Sequence, residues 1–402
     1  MNLTTGFPYS LISHGLPASY PKLEKSLKTD VVIIGGGISG ALTAFYLVNA
    51  GIECVLVDAR TIGLGSTCAS TSLLQYELDK PLSQLSKQIG NHDAARIYRL
   101  CSESINVLEA ISRTLKFSHF ERQPSLFFAA VAKDVKFLES EYEFRRRAGL
   151  DVALLSQPDI ERQFGFTSPL AILSAQGAAV DGYMLTHALL QYSQTKGLQV
   201  FDRTRVSKIH YQKKGAKLHT ENGFILSAGK IVNATGYEVT EFIDKKIVNL
   251  HSTYAIASEQ LSAGTNPWKQ KAMLWNTANP YLYMRLTADR RIMIGGRDEK
   301  FYSPARRDKL IGRKSKLLKR DFEKLFPDLN FIPELSWAGT FGATTDSLPY
   351  IGQYVPTPHT YYALGFGGNG ITFSVLAAEI IRDLLLGRKN SKQELFSFSR
   401  KA

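Results

Sequence analysis

The sequence predicts an α/β fold (α+β in its details): a parallel β-α-β core interrupted by an inserted region with a mixed β-sheet. Three stretches carry that prediction. "DVVIIGGGISGALTAFYLV", from Asp30 to Val48, reads as an apolar strand, a glycine turn and an apolar helix. From Ile247 to Gly296 the chain is strand-like with Trp and Tyr, as in "AMLWNT" and "YLYMRLTADRRIMIGG". "GFGGNG", Gly365–Gly370, sits between a short apolar strand and a last apolar helix.

The elements follow in order. Residues 1–29, with prolines at 8, 17 and 21, read as an extended lead-in. Next come strand Asp30–Ile34, helix Ile38–Asn49 with Gly51 as its stop, and strand Glu53–Val57 ending at Asp58. That is a β-α-β unit of about 30 residues, the size such units require. Helical patterns dominate from Leu82 to about Arg147, and a further helix ends at Gly197. A strand meander closes on "IVNATG", Ile231–Gly236. The basic stretch starting at Lys300 places Leu318, Phe322, Leu325 and Phe326 at i, i+4, i+7 and i+8. It predicts an amphipathic helix with a solvated basic face, Ser303 as N-cap and Pro304 as first residue. Strand Tyr361–Leu364 and helix Ile371–Leu386 complete the chain.

At 402 residues the chain suits two or three domains, or two interleaved ones. Its formal net charge is +13, which fits an acidic partner, nucleic acid, an anionic membrane surface or a basic surface alone. No aromatic-plus-basic nucleic-acid motif accompanies the charge, so nucleic acid is not the expected partner. The three cysteines lack C-x-x-C spacing, and no secretory signal is read, so a reducing cytoplasm is expected. The eight histidines show no metal-ligand spacing, and no metal is expected. The apolar run Val31–Val48 imitates a membrane span, and Gly36 and Gly40 even form G-x-x-x-G. But each glycine would cost about 1 kcal/mol in a helix interior, so a strand–turn–helix is the better reading.

Gly35-x-Gly37-x-x-Gly40 follows a strand and opens a helix. Gly35 permits the tight turn, Gly37 lets the backbone approach a pyrophosphate, and Gly40 permits close helix–strand packing. The helix N-terminus offers unpaired N–H groups to phosphate. Asp58, at the end of the second strand, is placed to accept from ribose hydroxyls. Together these predict a dinucleotide site.

Five stretches together resemble the FAD-dependent D-amino-acid oxidase superfamily, which includes glycine oxidase, sarcosine oxidase, D-amino-acid dehydrogenase and γ-glutamylputrescine oxidase. They are the N-terminal fingerprint, "GLGSTCAS" (Gly63–Ser70), "IVNATG", "DSLPYIGQY" (Asp346–Tyr354) and "YYALGFGGNGITFSVLAAEIIRDLLLG" (Tyr361–Gly387). The resemblance covers about residues 30–390. It implies a Rossmann-like FAD-binding domain of the glutathione-reductase type, discontinuous over 1–88, 178–245 and 338–402. A mixed-sheet substrate domain would come from 89–177 and 246–337. It implies non-covalent FAD, since no Cys follows Cys101 to make a C-terminal cysteinyl–flavin bond. Cys68, in the flavin-reaching loop, is read as a small packing residue.

Carried onto this chain, the resemblance places FAD on several segments. They are Gly35, Gly37, Ile38, Ser39 and Gly40; Asp58, Ala59 and Arg60; Gly65, Ser66, Thr67, Thr71 and Ser72; Val206; and Ala234, Thr235 and Gly236. Gly342 and the turn Gly367, Gly368, Asn369, Gly370, Ile371 and Thr372 complete the set. In the family, the last helix points its dipole at the N1/C2=O side of the isoalloxazine.

The resemblance also has departures. The carboxylate-clamping Arg of glycine and D-amino-acid oxidases is replaced by Phe341 in "WAGTFGA", and glycine oxidase's second Arg by Gly368. Positions matching the substrate Arg and Lys of monomeric sarcosine oxidases hold Ser72 and Thr372, and that of their oxygen-activating Lys holds Met293. These losses argue against a small α-amino acid. Arg285 is one basic residue left in a suitable place, on the same strand face as Tyr281 and Tyr283. It could bind a carboxylate or be a hairpin-end arginine in a surface ion pair. Phe341, Tyr283 and Tyr254 would make an aromatic pocket for a larger or less charged amine. No catalytic side chain is assigned, because the flavin carries hydride transfer at N5 and the product imine hydrolyses. The acceptor would be O2 or quinone. The alternatives are a flavin-dependent tRNA-modification enzyme and a D-amino-acid dehydrogenase in peripheral contact with a membrane, passing electrons to quinone.

Overall fold

Strands that carry apolar residues at every position need cover on both faces, and a parallel sheet supplies that geometry. The computed structural model describes residues 1–243 and 247–400. In it, strands Gln199–Phe201, Cys54–Val57, Leu27–Ile34, Ile225–Asn233 and Thr360–Leu364 lie side by side and parallel. Val31, Ile33 and Leu56 face a core shared with helices Ile38–Asn49, Gly182–Thr195 and Gly370–Leu385. The alternate residues Val32, Ile34, Val55 and Val57 face a second core completed by the meander strands Val206–Tyr211 and Ala216–Thr220. This is the period-two alternation of a strand, with both faces apolar.

A nine-stranded mixed sheet forms the other layer. Its order is Thr4–Gly6, Pro333–Ala343, Asn249–Ser258, Ile292–Glu299, Tyr283–Leu286, Met273–Asn276, Ser125–Phe128, Leu170–Ser174 and Val152–Ser156. The strand Pro333–Ala343 runs unbroken across the 337/338 boundary. The boundary at 245/246 lies outside the described residues, as does the end of the segment 338–402.

Three local expectations are corrected. Residues 1–29 are not merely extended: Thr4–Gly6 pairs antiparallel with Trp337–Gly339, and Tyr9–His14 is a helix. A three-residue strand of Thr-Thr-Gly has no periodicity of its own, and its partner supplies the ladder. Between Leu82 and Arg147 the helices Leu82–Ile89, Asn91–Thr114 and Val135–Arg147 are interrupted by strands Phe120–Arg122 and Ser125–Phe128. The basic helix spans Pro304–Leu325 with Ser303 accepting from Arg306 N, but its cations are not all solvated. Arg307 is fully buried and donates to Thr340 Oγ1 (2.9 Å) and to the Asn2 carbonyl (3.1 Å), which holds the N-terminal strand in place. Lys314 donates to the Arg297 carbonyl and to Glu299, both at 2.7 Å.

No described helix is long and apolar enough to cross a membrane. No group of three or more His, Cys, Asp or Glu among the described residues could hold a metal ion.

Candidate active site

The carboxyl ends of parallel strands leave a crevice where the chain reverses direction. Here Ile34, Val57, Asn233 and Leu364 end beside one cavity of about 280 Å³. The glycine turn forms its floor. Gly35 has φ +110°, and a Cβ there would lie 2.4 Å from the Ala234 carbonyl oxygen. A Cβ on Gly40 would lie 1.9 Å from the Gly35 carbonyl oxygen, so Gly40 serves helix–strand packing and does not line the cavity. Gly37, Ile38 and Ser39 do line it, and Ile38 N donates to Thr67 Oγ1 (3.1 Å).

Asp58 lies at the same end with Ala59, Arg60, Val206, Ala234, Thr235 and Gly236. Its Oδ2 accepts from Gly36 N (2.6 Å) and its Oδ1 from Arg60 N (2.7 Å). Burial pushes the Asp58 pKa up, and those two N–H groups oppose it. Arg60 is held by Glu238 through Nη1 (2.9 Å) and by the Met1 carbonyl through Nη2 (2.8 Å).

Further in, the loop residues Gly65, Ser66, Thr67, Thr71 and Ser72 form one wall. The Ser66 and Ser72 hydroxyls are buried and have no hydrogen-bond partner. Buried polar groups are normally satisfied, so two orphaned hydroxyls in a cavity wall mark where a polar ligand belongs. Cys68 is buried behind the loop, and burial pushes its thiol up to about 12. It is an inert packing residue.

The turn Gly367, Gly368, Asn369, Gly370, Ile371 and Thr372 forms the opposite wall. Asn369 Nδ2 donates to the carbonyls of Glu77 (2.8 Å) and Gln75 (3.2 Å), which locks the turn ahead of helix Gly370–Leu385. Gly342 stands behind this wall, with its carbonyl accepting from Gly367 N (3.2 Å). A bound FAD fits these residues: a carboxylate at one end, a helix N-terminus at each end and unpartnered hydroxyls between them.

The inner end carries Phe341, Tyr281, Tyr283, Thr253 and Asp298. Tyr283 stands opposite Gly295, and a Cβ on Gly295 would lie 2.2–2.4 Å from two ring carbons and the hydroxyl oxygen of Tyr283. That glycine lets the tyrosine lie across the neighbouring strand. Two expected residues are elsewhere. Arg285 is only 6% exposed, does not line the cavity, and donates from Nε to the Thr71 carbonyl (2.7 Å). It is neither at a surface nor in an ion pair, and burial lowers its pKa. Tyr254 packs in the core under the basic helix, beneath Lys314 (5.2 Å). Its neighbour Thr253 points into the cavity instead, because successive residues of this regular strand face opposite sides; the extra residue opposite 252/254 lies in the partner strand, between Gly296 and Glu299. Met293 is buried beside Trp337, away from the cavity.

Sequence reasoning missed Asp298 and Asp79. Asp298 Oδ1 is enclosed without a partner, and burial raises its carboxyl pKa to about 6. Asp79 accepts from Tyr281 Oη and from Gly368 N, both at 2.9 Å. Asp298 follows Gly296 (φ +139°) and Arg297 (φ +59°), so its direction depends on a backbone kink that alternation cannot forecast.

The sequence pattern of a family described as "DAO: FAD dependent oxidoreductase" matches residues 30–384. The γ-glutamylputrescine oxidoreductase of Escherichia coli is 25% identical over 380 residues, covering 92% of this chain and 86% of that protein. Among solved structures, an L-proline dehydrogenase from P. horikoshii superposes with a TM-score of 0.79 at 21% identity, over 92% of this chain and 97% of the other. Glycine oxidase from Geobacillus kaustophilus gives 0.78 at 20% identity, over 93% and 99%.

Proposed function

The chain belongs to the DAO family of FAD-dependent oxidoreductases, and from that premise we propose that it oxidises the C–N bond of an amine or amino acid to an imine, which water then hydrolyses. The observation that carries this reading is the inner chamber: Phe341, Tyr281 and Tyr283 beside a carboxylate, at the end of the FAD cavity. The names of the similar proteins, γ-glutamylputrescine oxidoreductase, glycine oxidase and L-proline dehydrogenase, all refer to nitrogen-bearing compounds.

When bound, FAD supplies the acceptor for the two electrons that leave the C–N bond. The chain's own residues do the rest. The glycine turn and Asp58 hold the adenosine end, and the Ser66 and Ser72 hydroxyls gain partners from the bound group. The N-terminus of helix Gly370–Leu385 presents N–H groups where negative charge is best stabilised. The three aromatic rings exclude water and position the substrate by shape. FAD is held without a cysteinyl link, because Cys54, Cys68 and Cys101 are all buried and none lines the cavity.

The test is an anaerobic one. The purified holoprotein should release its flavin on acid precipitation. Its visible band should bleach on mixing with members of a panel of amines and D- and L-amino acids. A holoprotein that no member of the panel bleaches would refute the reading. Air then decides the acceptor: rapid reoxidation marks an oxidase, and persistence of the reduced form marks a dehydrogenase.

A further inference from the structure

The geometry points to Asp298 as the anchor for a positively charged nitrogen of the substrate, so that the site takes an amine of net positive charge without a carboxylate. This rests on the proposed C–N oxidation and names its substrate class.

Asp298 lines the inner chamber, and its Oδ1 is enclosed with no hydrogen-bond partner. A carboxylate taken out of water without a cation or donors is costly, and it draws a cation when one can reach it. No protein cation does so. Lys314, on helix Pro304–Leu325, acts on it only through space and makes no ion pair with it, being engaged by Glu299 and the Arg297 carbonyl. Arg285 is tied to the Thr71 carbonyl, outside the cavity wall. The other groups around Asp298 are the Thr253 hydroxyl, Tyr283 and, further off, the Asp79 carboxylate. None is a positive charge. The charge is therefore left for a ligand to supply.

The surrounding surface fits the same ligand. Tyr281 and Tyr283 have ring centroids 5.7 Å apart and both line the chamber. Aromatic faces attract ammonium groups that lie within about 6 Å of them. Phe341 extends this surface, with His251 packed on it at 5.2 Å. Among the described lining residues, the only arginines are Arg60 and Arg205, both at the adenosine end, and there is no lysine. A substrate carboxylate at the inner end would meet Asp298, with Asp79 behind the wall, and no cation to balance them. Like charges so placed favour the ammonium and reject the zwitterion.

The experiment uses the FAD-loaded enzyme and three probes that cannot form an imine: benzyltrimethylammonium, benzyl alcohol and phenylacetate. Each is titrated at pH 8 while the visible flavin spectrum is followed. The cation should bind tightest and phenylacetate weakest. Asp298→Asn should weaken the cation by about 30-fold or more, the lower end for a desolvated charge pair, and leave benzyl alcohol within about twofold. Asp298→Glu should restore part of the cation binding, and retained FAD in both variants shows that they fold. The cation's charge does not depend on pH, so its wild-type affinity should fall as pH drops through about 6, where Asp298 gains a proton. An unchanged cation affinity in Asp298→Asn, an affinity flat from pH 4.5 to 8, or preference for phenylacetate would each overturn the assignment. The readout is binding alone. A holoprotein that no amine bleaches, yet that loses the cation in Asp298→Asn, refutes the proposed oxidation and supports the anchor.

Discussion

Arg145 offers the sharpest test of how the flavin turn is supported. It is fully buried on helix Val135–Arg147, with Nε on Glu141 (2.9 Å) and Nη1 on Glu77 (3.2 Å). Glu141 also accepts from Leu82 N and Ser83 N, both at 2.9 Å, at the start of helix Leu82–Ile89. The Glu77 carbonyl receives Asn369 Nδ2, so this cluster reaches the flavin turn. Arg145→Met keeps the aliphatic stem and removes the charge. Removing one partner of a buried ion pair costs about 3–5 kcal/mol. Here two carboxylates lose the same cation, but Glu141 retains two backbone donors, so about 4 kcal/mol at pH 8 is expected. The pH dependence has a definite sign. Burial works to raise Glu141, but Arg145 and the Ser83 N–H hold its pKa below the usual value. Its contribution is present above the unfolded value of about 4.3 and is lost as pH falls through the folded one. In the variant both carboxyls rise, and protonation relieves the uncompensated charge. The gap between wild type and variant should therefore narrow from pH 8 to pH 5. Urea unfolding at one fixed free FAD concentration measures it, followed by tryptophan fluorescence, since Trp275 stacks on Phe127 (3.8 Å) beneath Arg145. A loss under about 1 kcal/mol, or a gap that widens toward pH 5, would refute the reasoning. Glu77→Gln and Glu141→Gln added to Arg145→Met should recover most of the stability.

The other predictions concern the site and its frame. Gly295→Ala puts a Cβ into the Tyr283 ring, so KM for the best amine should rise about tenfold or more while FAD affinity stays within about twofold; steady-state kinetics and flavin retention check both. Phe341→Arg should keep FAD and raise phenylacetate affinity over wild type, because Phe341 lines the inner chamber and a guanidinium there would pair with a carboxylate. Loss of flavin in that variant would show that Phe341 supports the cofactor itself. Arg400→Met leaves Asp346 buried without its bidentate partner (2.7 and 3.0 Å), which should cost about 3 kcal/mol at pH 7 by urea unfolding. Burial works to raise Asp346, and Arg400 holds it below the usual carboxylate range. Its contribution is thus present above about pH 4 and is lost as pH falls further, so the two proteins should converge in acid.

Local chemistry made the nucleotide half legible in advance. The expected helix Ile38–Asn49 matches the one found, and its boundaries follow from a glycine turn before it and Gly51 after it. Gly35 and Gly40 are required by approaches within one β-α-β unit or to the strand beside it, so short-range pattern suffices. The last helix, expected over Ile371–Leu386, spans Gly370–Leu385 for the same reason. The FAD-dependent family was readable too, because five stretches occurred in one order along the chain.

The substrate half was decided only by tertiary structure. Alternation put Arg285 on the face of Tyr283, yet the Thr71 carbonyl, 214 residues away in sequence, draws its guanidinium out of the cavity. Thr253 and Tyr254 face opposite sides of one strand, and only the packing of helix Pro304–Leu325 over Tyr254 decides that Thr253 is at the cavity wall. A kink at Gly296 and Arg297 precedes Asp298, the carboxylate at the inner end. Asp79 meets the flavin turn only because Gly367 and Gly368 have no side chains to block it. The sequence alone determined the dinucleotide site, because backbone turns and helix ends are short-range features, and the family resemblance of its five stretches made that dinucleotide FAD. Only the tertiary structure decided which charge faces the inner end of the cavity, because a bulge and distant hydrogen bonds aim those side chains.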